Sequence, residues 1–143
     1  MPRRSEEGFS EAERRAMQER ARELRADRRG RKRDPDQEVR ERIAELPEPD
    51  RSLALRVHEL VRSAAPELVP RTWYGMPAYA KDGTVLCFFQ PASKFGARYA
   101  TFGFTDAARL DEGNWWPVSF ALTSLDAATE ERLRMLVRRA VGG

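Results

Sequence analysis

The chain has one cysteine and one histidine among its 143 residues. A lone cysteine cannot close an internal disulfide, and a structural zinc site built from Cys and His needs about four ligands. A Ser-His-Asp triad would have to use His58, and neither a G-x-S-x-G elbow nor a glycine-rich phosphate loop is present. With no convergent acid–base pair in view, enzymatic function is the least supported class. No apolar run approaches the roughly 18 to 20 residues that span a bilayer. The start, Met-Pro-Arg-Arg followed by acids, lacks the apolar core of a secretion signal. A cytoplasmic protein with no membrane partner is expected.

Aromatic residues are almost missing from the first third of the chain. Phe9 stands alone there, and 12 of the 13 aromatics fall between positions 73 and 120. Charge is also uneven. Residues 1–35 carry 12 Lys/Arg against 8 Asp/Glu, and the rest carries 14 against 15. The N-terminal arm is therefore net +4 and the remainder −1, which together make the net +3 of the chain. The near-neutral remainder argues against nucleic acid as a partner.

Local signals divide the chain into a charged N-terminal helix with a basic linker, 1–33, and a domain, 34–143. Ser10 and Glu13 form a capping-box pattern, predicting a helix over Glu11–Arg28. Its thin apolar side holds Phe9, Ala12, Ala16, Met17, Ala21 and Leu24, a face for docking on the domain or on a second subunit. Gly30 ends the helix within the basic run Arg28–Arg33. Asp34, Pro35 and Gln37 start a second helix with a capping box of their own, and Val39, Ile43 and Leu46 make its stripe. A third helix, Arg51–Ala65, buries Leu53, Val57, Leu60, Val61 and Ala64. Leu55 lies off that face and is a receiving point for another element, such as the N-terminal helix.

Residues 68–122 alternate strand and turn signals. Strands are predicted at Leu68–Tyr74 (an edge, because of Pro70), Ala78–Lys81, Thr84–Gln90, Arg98–Phe104 and Trp116–Leu122. Asp82-Gly83 is a two-residue hairpin signal. Thr105 is expected to cap a short helix at Asp106–Leu110, and Asp126 to cap a last helix at Ala127–Val141. Segregated elements in this order predict an α+β fold, a mostly antiparallel sheet of about five strands covered by helices, with an extra N-terminal helix.

The segment Trp73-Tyr-Gly-Met-Pro-Ala-Tyr79 is the most unusual of the chain. Gly75 and Pro77 predict a shaped corner with large side chains around it, either a plug for the core or the lining of a pocket. Candidate ligand-binding residues are Trp73, Tyr74, Met76, Tyr79, Lys94, Arg98, Trp115 and Trp116, since an apolar concavity with a few polar groups is the usual small-ligand site. Glu38, Glu41 and Glu45 share a helix face and are candidate oxygen ligands for a metal ion. Cys87, in a central strand, reads as an inert core thiol, and His58 as a helix-flank residue.

Tyr74-Gly-Met-Pro-Ala-Tyr79, the Asp82-Gly83 hairpin, the Val85–Phe89 strand and the closing amphipathic helix resemble the YdhG-like bacterial family of largely unknown function, grouped near the YjbR/CyaY-like and frataxin proteins. The resemblance covers about residues 36–142, and the Trp115-Trp116-Pro117 segment resembles its actinobacterial branch. It implies a small antiparallel sheet covered by helices and, by frataxin-like function, iron as a ligand. Many members carry Lys-x-His-Ile-Gly after the long strand; here Lys94-Phe95-Gly96-Ala97-Arg98 keeps the lysine and lacks the histidine. Three functions are expected in order: a non-enzymatic small-ligand binding domain, an iron chaperone, and an interaction module that uses the N-terminal helix, including self-association.

Overall fold

The computed structural model describes residues 10–28 and 34–142. Phe9, Gly30 and the basic linker over residues 29–33 lie outside them. Ser10 and Glu13 exchange the two reciprocal bonds of a capping box, Ser10 N–H to Glu13 Oε1 at 2.9 Å and Glu13 N–H to Ser10 Oγ at 3.1 Å. Helix α1 then runs over Glu11–Arg28. Asp34 caps α2, Pro35–Ala44, by accepting from the Asp36 amide, and the Gln37 side chain donates to Glu41. Helix α3 covers Asp50–Ala64. Asp126 accepts from the Thr129 amide at the start of α4, Ala127–Val141.

The strands are β1 (Val69–Trp73), β2 (Met76–Lys81), β3 (Thr84–Gln90), β4 (Ala100–Phe104) and β5 (Ser119–Leu122). They form one antiparallel sheet in sequence order, so β1 and β5 are its edges. With four helices among the described residues, the fold is α+β. Among the described residues, no helix is long and apolar enough to cross a membrane.

Three expectations are corrected. Trp73 pairs with Met76, so Tyr74-Gly75 is itself a two-residue hairpin turn, and Met76 and Pro77 belong to β2. Both turn residues have positive φ, 54° and 76°, as a type I′ turn requires. Asp106–Leu110 is a turn and not a helix: Thr105 Oγ1 does accept from the Ala107 amide, but the Arg109 amide donates to Ala140 O at the end of α4, which draws the chain away. The last strand begins at Ser119, beyond Pro117, which has no N–H to give a ladder. Ser93–Phe95, within an expected loop, forms one 3₁₀ turn.

The core lies between one face of the sheet and helices α2, α3 and α4. Tyr79, Cys87 and Phe104 lie in register across β2, β3 and β4, and Phe89 sits opposite Phe102. Val39 and Ile43 of α2, Val57 and Val61 of α3, and Leu133 and Val137 of α4 close over them. Each such side chain, moved out of water, contributes about 1.5–3 kcal/mol. Arg138 fastens α4 to α3 by donating to Ala64 O at 2.9 Å, where the helix has no partner of its own for that carbonyl. Leu55 stays partly exposed, and α1 packs instead on β1 and the 3₁₀ turn.

Candidate functional site

The Tyr74-Gly75 turn is closed by helix α1. Glu23, 8% exposed, accepts from the amides of both Tyr74 and Gly75 at 3.1 Å. One turn earlier, Glu19 pairs with Lys94 Nζ at 2.7 Å and with Arg42 Nη2 at 3.1 Å. The Arg20 guanidinium lies 5.8 Å from the centre of the Tyr74 ring and 3.4 Å from Glu23. Gly75 is needed for this approach as well as for its φ. A Cβ there would collide with the Glu19 carboxylate, 2.7 Å from its Cδ, and come within 2.8 Å of Lys94 Cε. Ala16 is buried on the same side, whereas Met17, Ala21 and Leu24 face outward. The docking face of α1 is therefore its Ala16–Glu19–Arg20–Glu23 side, which shares Ala16 with the apolar side read from the sequence and leaves out Met17, Ala21 and Leu24.

Several candidate residues at this corner serve packing. Trp73 meets Tyr74 edge-on at 5.2 Å and Phe88 at 5.5 Å. Met76 is buried. Tyr79 points to the core face and is fully buried, with its hydroxyl 2.9 Å from His58 Nδ1. Arg98 stays exposed, over the Tyr99 ring. The structure thus brings Lys94 beside the Tyr74-Gly75 turn, with Trp73 against Tyr74, and places Tyr79 in the core.

His58 is not a helix-flank residue. It is fully buried, and its Nε2 lies 2.7 Å from Asp36 Oδ1. Burial pushes the imidazole pKa below its ordinary value, more strongly than the neighbouring Asp36 carboxylate raises it. The neutral ring then donates from Nε2 to Asp36 and accepts the Tyr79 hydroxyl at Nδ1. Burial pushes the Asp36 carboxyl up, but hydrogen bonds from Arg40 (2.9 Å) and His58 outweigh it and hold the pKa below the ordinary carboxylate value. Burial pushes the Tyr79 phenol well above its ordinary range. This chain links α2, α3 and β2 through side chains 22 and 21 residues apart in sequence, for which no local pattern exists. Cys87 is buried, and desolvation raises its thiol pKa far beyond the reactive range.

The candidate metal ligands of α2 do not gather. Glu41 accepts from Gln37 and Glu45 pairs with Arg42. Among the described residues, no three His, Cys, Asp or Glu side chains form a group able to hold a metal ion.

Trp115 and Trp116 belong to a different place, the loop between β4 and β5. With Leu110, Glu112 and Pro117 from the loop and Leu136 and Arg139 from α4, they line a groove of about 520 Å³. It adjoins a second depression of about 810 Å³ along α4, which shares Pro117, Leu136 and Arg139 and adds Phe120, Met135 and Arg132. Trp115 is 83% exposed and Met135 62%. Trp116 packs against the core, and Arg139 is held toward the groove by a 2.8 Å pair with Glu112. The arrangement offers indole and thioether surface beside guanidinium groups. The chain matches no protein-family model, no curated protein and no solved structure.

Proposed function

We propose that this is a non-enzymatic binding domain for a small ligand, and that the ligand is an apolar or aromatic molecule with an anionic end. Its site is the groove between the β4–β5 loop and α4. The observation that carries this reading is Trp115: a large apolar side chain left 83% exposed at the rim of a groove, within a cluster that includes Arg139. Contiguous exposed apolar surface marks interaction sites, and a guanidinium fixes a carboxylate by paired hydrogen bonds. The Tyr74–Tyr79 corner, by contrast, is filled by its own side chains and by α1, which favours the plug over the pocket. Membership of the YdhG-like family, on the Tyr74–Tyr79 motif, belongs to the same proposal. The iron reading has less support, because no carboxylate set converges among the described residues.

Titration with indole-3-acetate, benzoate and a medium-chain fatty acid, read by tryptophan fluorescence, tests the proposal. A saturable change at submillimolar ligand, lost in Trp115→Ala and weakened about tenfold in Arg139→Ala, is expected. No saturable response to any of the three up to about 1 mM, a range corresponding to about 4 kcal/mol of binding, would overturn it.

A further inference from the structure

Helix α1 sits on the domain as a ligand sits on a receptor. Of its described side chains only Ala16 and Glu23 are buried. The attachment is otherwise made by charge: Glu23 on two adjacent backbone N–H groups, and Glu19 on Lys94 and Arg42. Successive N–H groups in a turn of positive φ form a concavity that receives anions. The receptor half of this contact comes from three places: the β1–β2 turn, the 3₁₀ turn carrying Lys94, and α2 carrying Arg42. The ligand half is one helix with glutamates four residues apart, both on the same face. Lys94 and Glu19 are 15% and 14% exposed, so the pair is shielded from solvent and stronger than a surface pair. Of the helix's own described side chains, only Ala16 brings a buried apolar group to the contact.

Only five residues, Arg29–Arg33, join α1 to Asp34. An element that docks on its own domain through a connection of a few residues can dock in the same way on a second copy. We propose that the Tyr74-Gly75 turn, with Lys94 and Arg42, is a receptor for a helix bearing glutamates at i and i+4, and that its partner in trans is helix α1 of a second copy of the chain. Within one copy the tether gives α1 an effective concentration in the millimolar range, so the receptor is filled and a free helix competes poorly.

Complementation between two full-length variants tests this. Lys94→Glu spoils the receptor and keeps the helix; the double variant Glu19→Ala, Glu23→Ala spoils the helix and keeps the receptor. Mixed at about 100 μM, the two are expected to form a one-to-one dimer in sedimentation, while each alone stays monomeric. A labelled peptide of residues 10–28 should bind the double variant at least tenfold tighter than it binds the wild-type chain, and a peptide lacking both glutamates should not bind. No heterodimer, or equal binding of the two peptides, would overturn the proposal. If the double variant does not fold, a chain carrying both Lys94→Glu and Arg42→Glu, with a peptide carrying Glu19→Lys, provides the second readout, because both cations that face position 19 are then reversed: restored binding supports the receptor, and none refutes it.

Discussion

Gly75 and Gly83 occupy equivalent positions in two consecutive hairpins, with φ of 76° and 82°. Their surroundings differ. A Cβ on Gly83 would meet nothing within 4 Å, whereas one on Gly75 would strike Glu19 and Lys94. Gly83→Ala therefore measures backbone strain alone, about 1 kcal/mol for an L-residue in the left-handed region. Gly75→Ala adds the displacement of Glu19 from Lys94 and Arg42. Hydrogen bonds to charged groups are worth about 1.5–3 kcal/mol, and part of that returns as the freed carboxylate and ammonium regain water. An extra loss of about 1–2 kcal/mol is expected, for a total of about 2–3 kcal/mol. Urea unfolding followed by circular dichroism gives both values. A double-mutant cycle identifies the cause, since in a Glu19→Ala background Gly75→Ala should cost no more than Gly83→Ala. Equal costs for the two glycines in the wild-type background, or an undiminished Gly75→Ala cost without Glu19, would refute the assignment of Gly75 to close packing under α1.

Two further outcomes follow from buried titratable groups. Above its ordinary pKa of 6.5, His58 is neutral in both the folded and the unfolded chain. As the pH falls below 6.5 the unfolded chain takes up the proton first, because the folded pKa is depressed, so stability declines with acid through that window. Asp36, held below its ordinary 3.8, extends the loss to lower pH. The urea midpoint should fall from pH 7 toward pH 5, and His58→Gln should flatten that part of the profile; an equal slope in the variant would contradict the role given to His58. Cys87, buried with its pKa pushed up, should not react with a thiol-specific disulfide reagent in the native protein and should titrate fully after denaturation. Complete reaction of the native protein within minutes would show that the β3 interior is open.

Much of the fold is local in origin and was readable as such. Ser10 and Glu13, Asp34 and Pro35, and Asp126 mark helix starts because a side chain within three residues satisfies an amide that the helix itself leaves free. Asp82-Gly83 marks a hairpin because those residues tolerate positive φ. Tyr74-Gly75 adopts the same turn but escaped the same reading, since a tyrosine at the first turn position is not a turn signal. Its φ of 54° is stabilised by what surrounds it: Glu23 on its amide, Arg20 over its ring and Trp73 against its edge. Asp106–Leu110 failed as a helix for a similar reason, because Arg109 finds a better acceptor in α4 than a helix of five residues could supply.

The candidate sites divide along the same line. The sequence by itself determined the α+β class, the helix caps, the Asp82-Gly83 hairpin and the burial of Cys87, because these depend on periodicity and on neighbours a few residues away. It also drew attention to Trp115, Trp116 and Lys94 as side chains unlike their surroundings. Only the tertiary structure decided that Lys94 faces Glu19 across 75 residues, that His58 joins Asp36 to Tyr79, and that Trp115 and Trp116 open on a groove against α4. Each of these depends on which elements lie side by side, a choice made by burial of the core and not by any pattern within a segment. The docking face of α1 is the clearest case. Hydropathy points to Met17 and Leu24, but the turn beneath the helix offers N–H groups and an ammonium group. The contact is made by Glu19 and Glu23 on those groups, while Met17 and Leu24 stay in water.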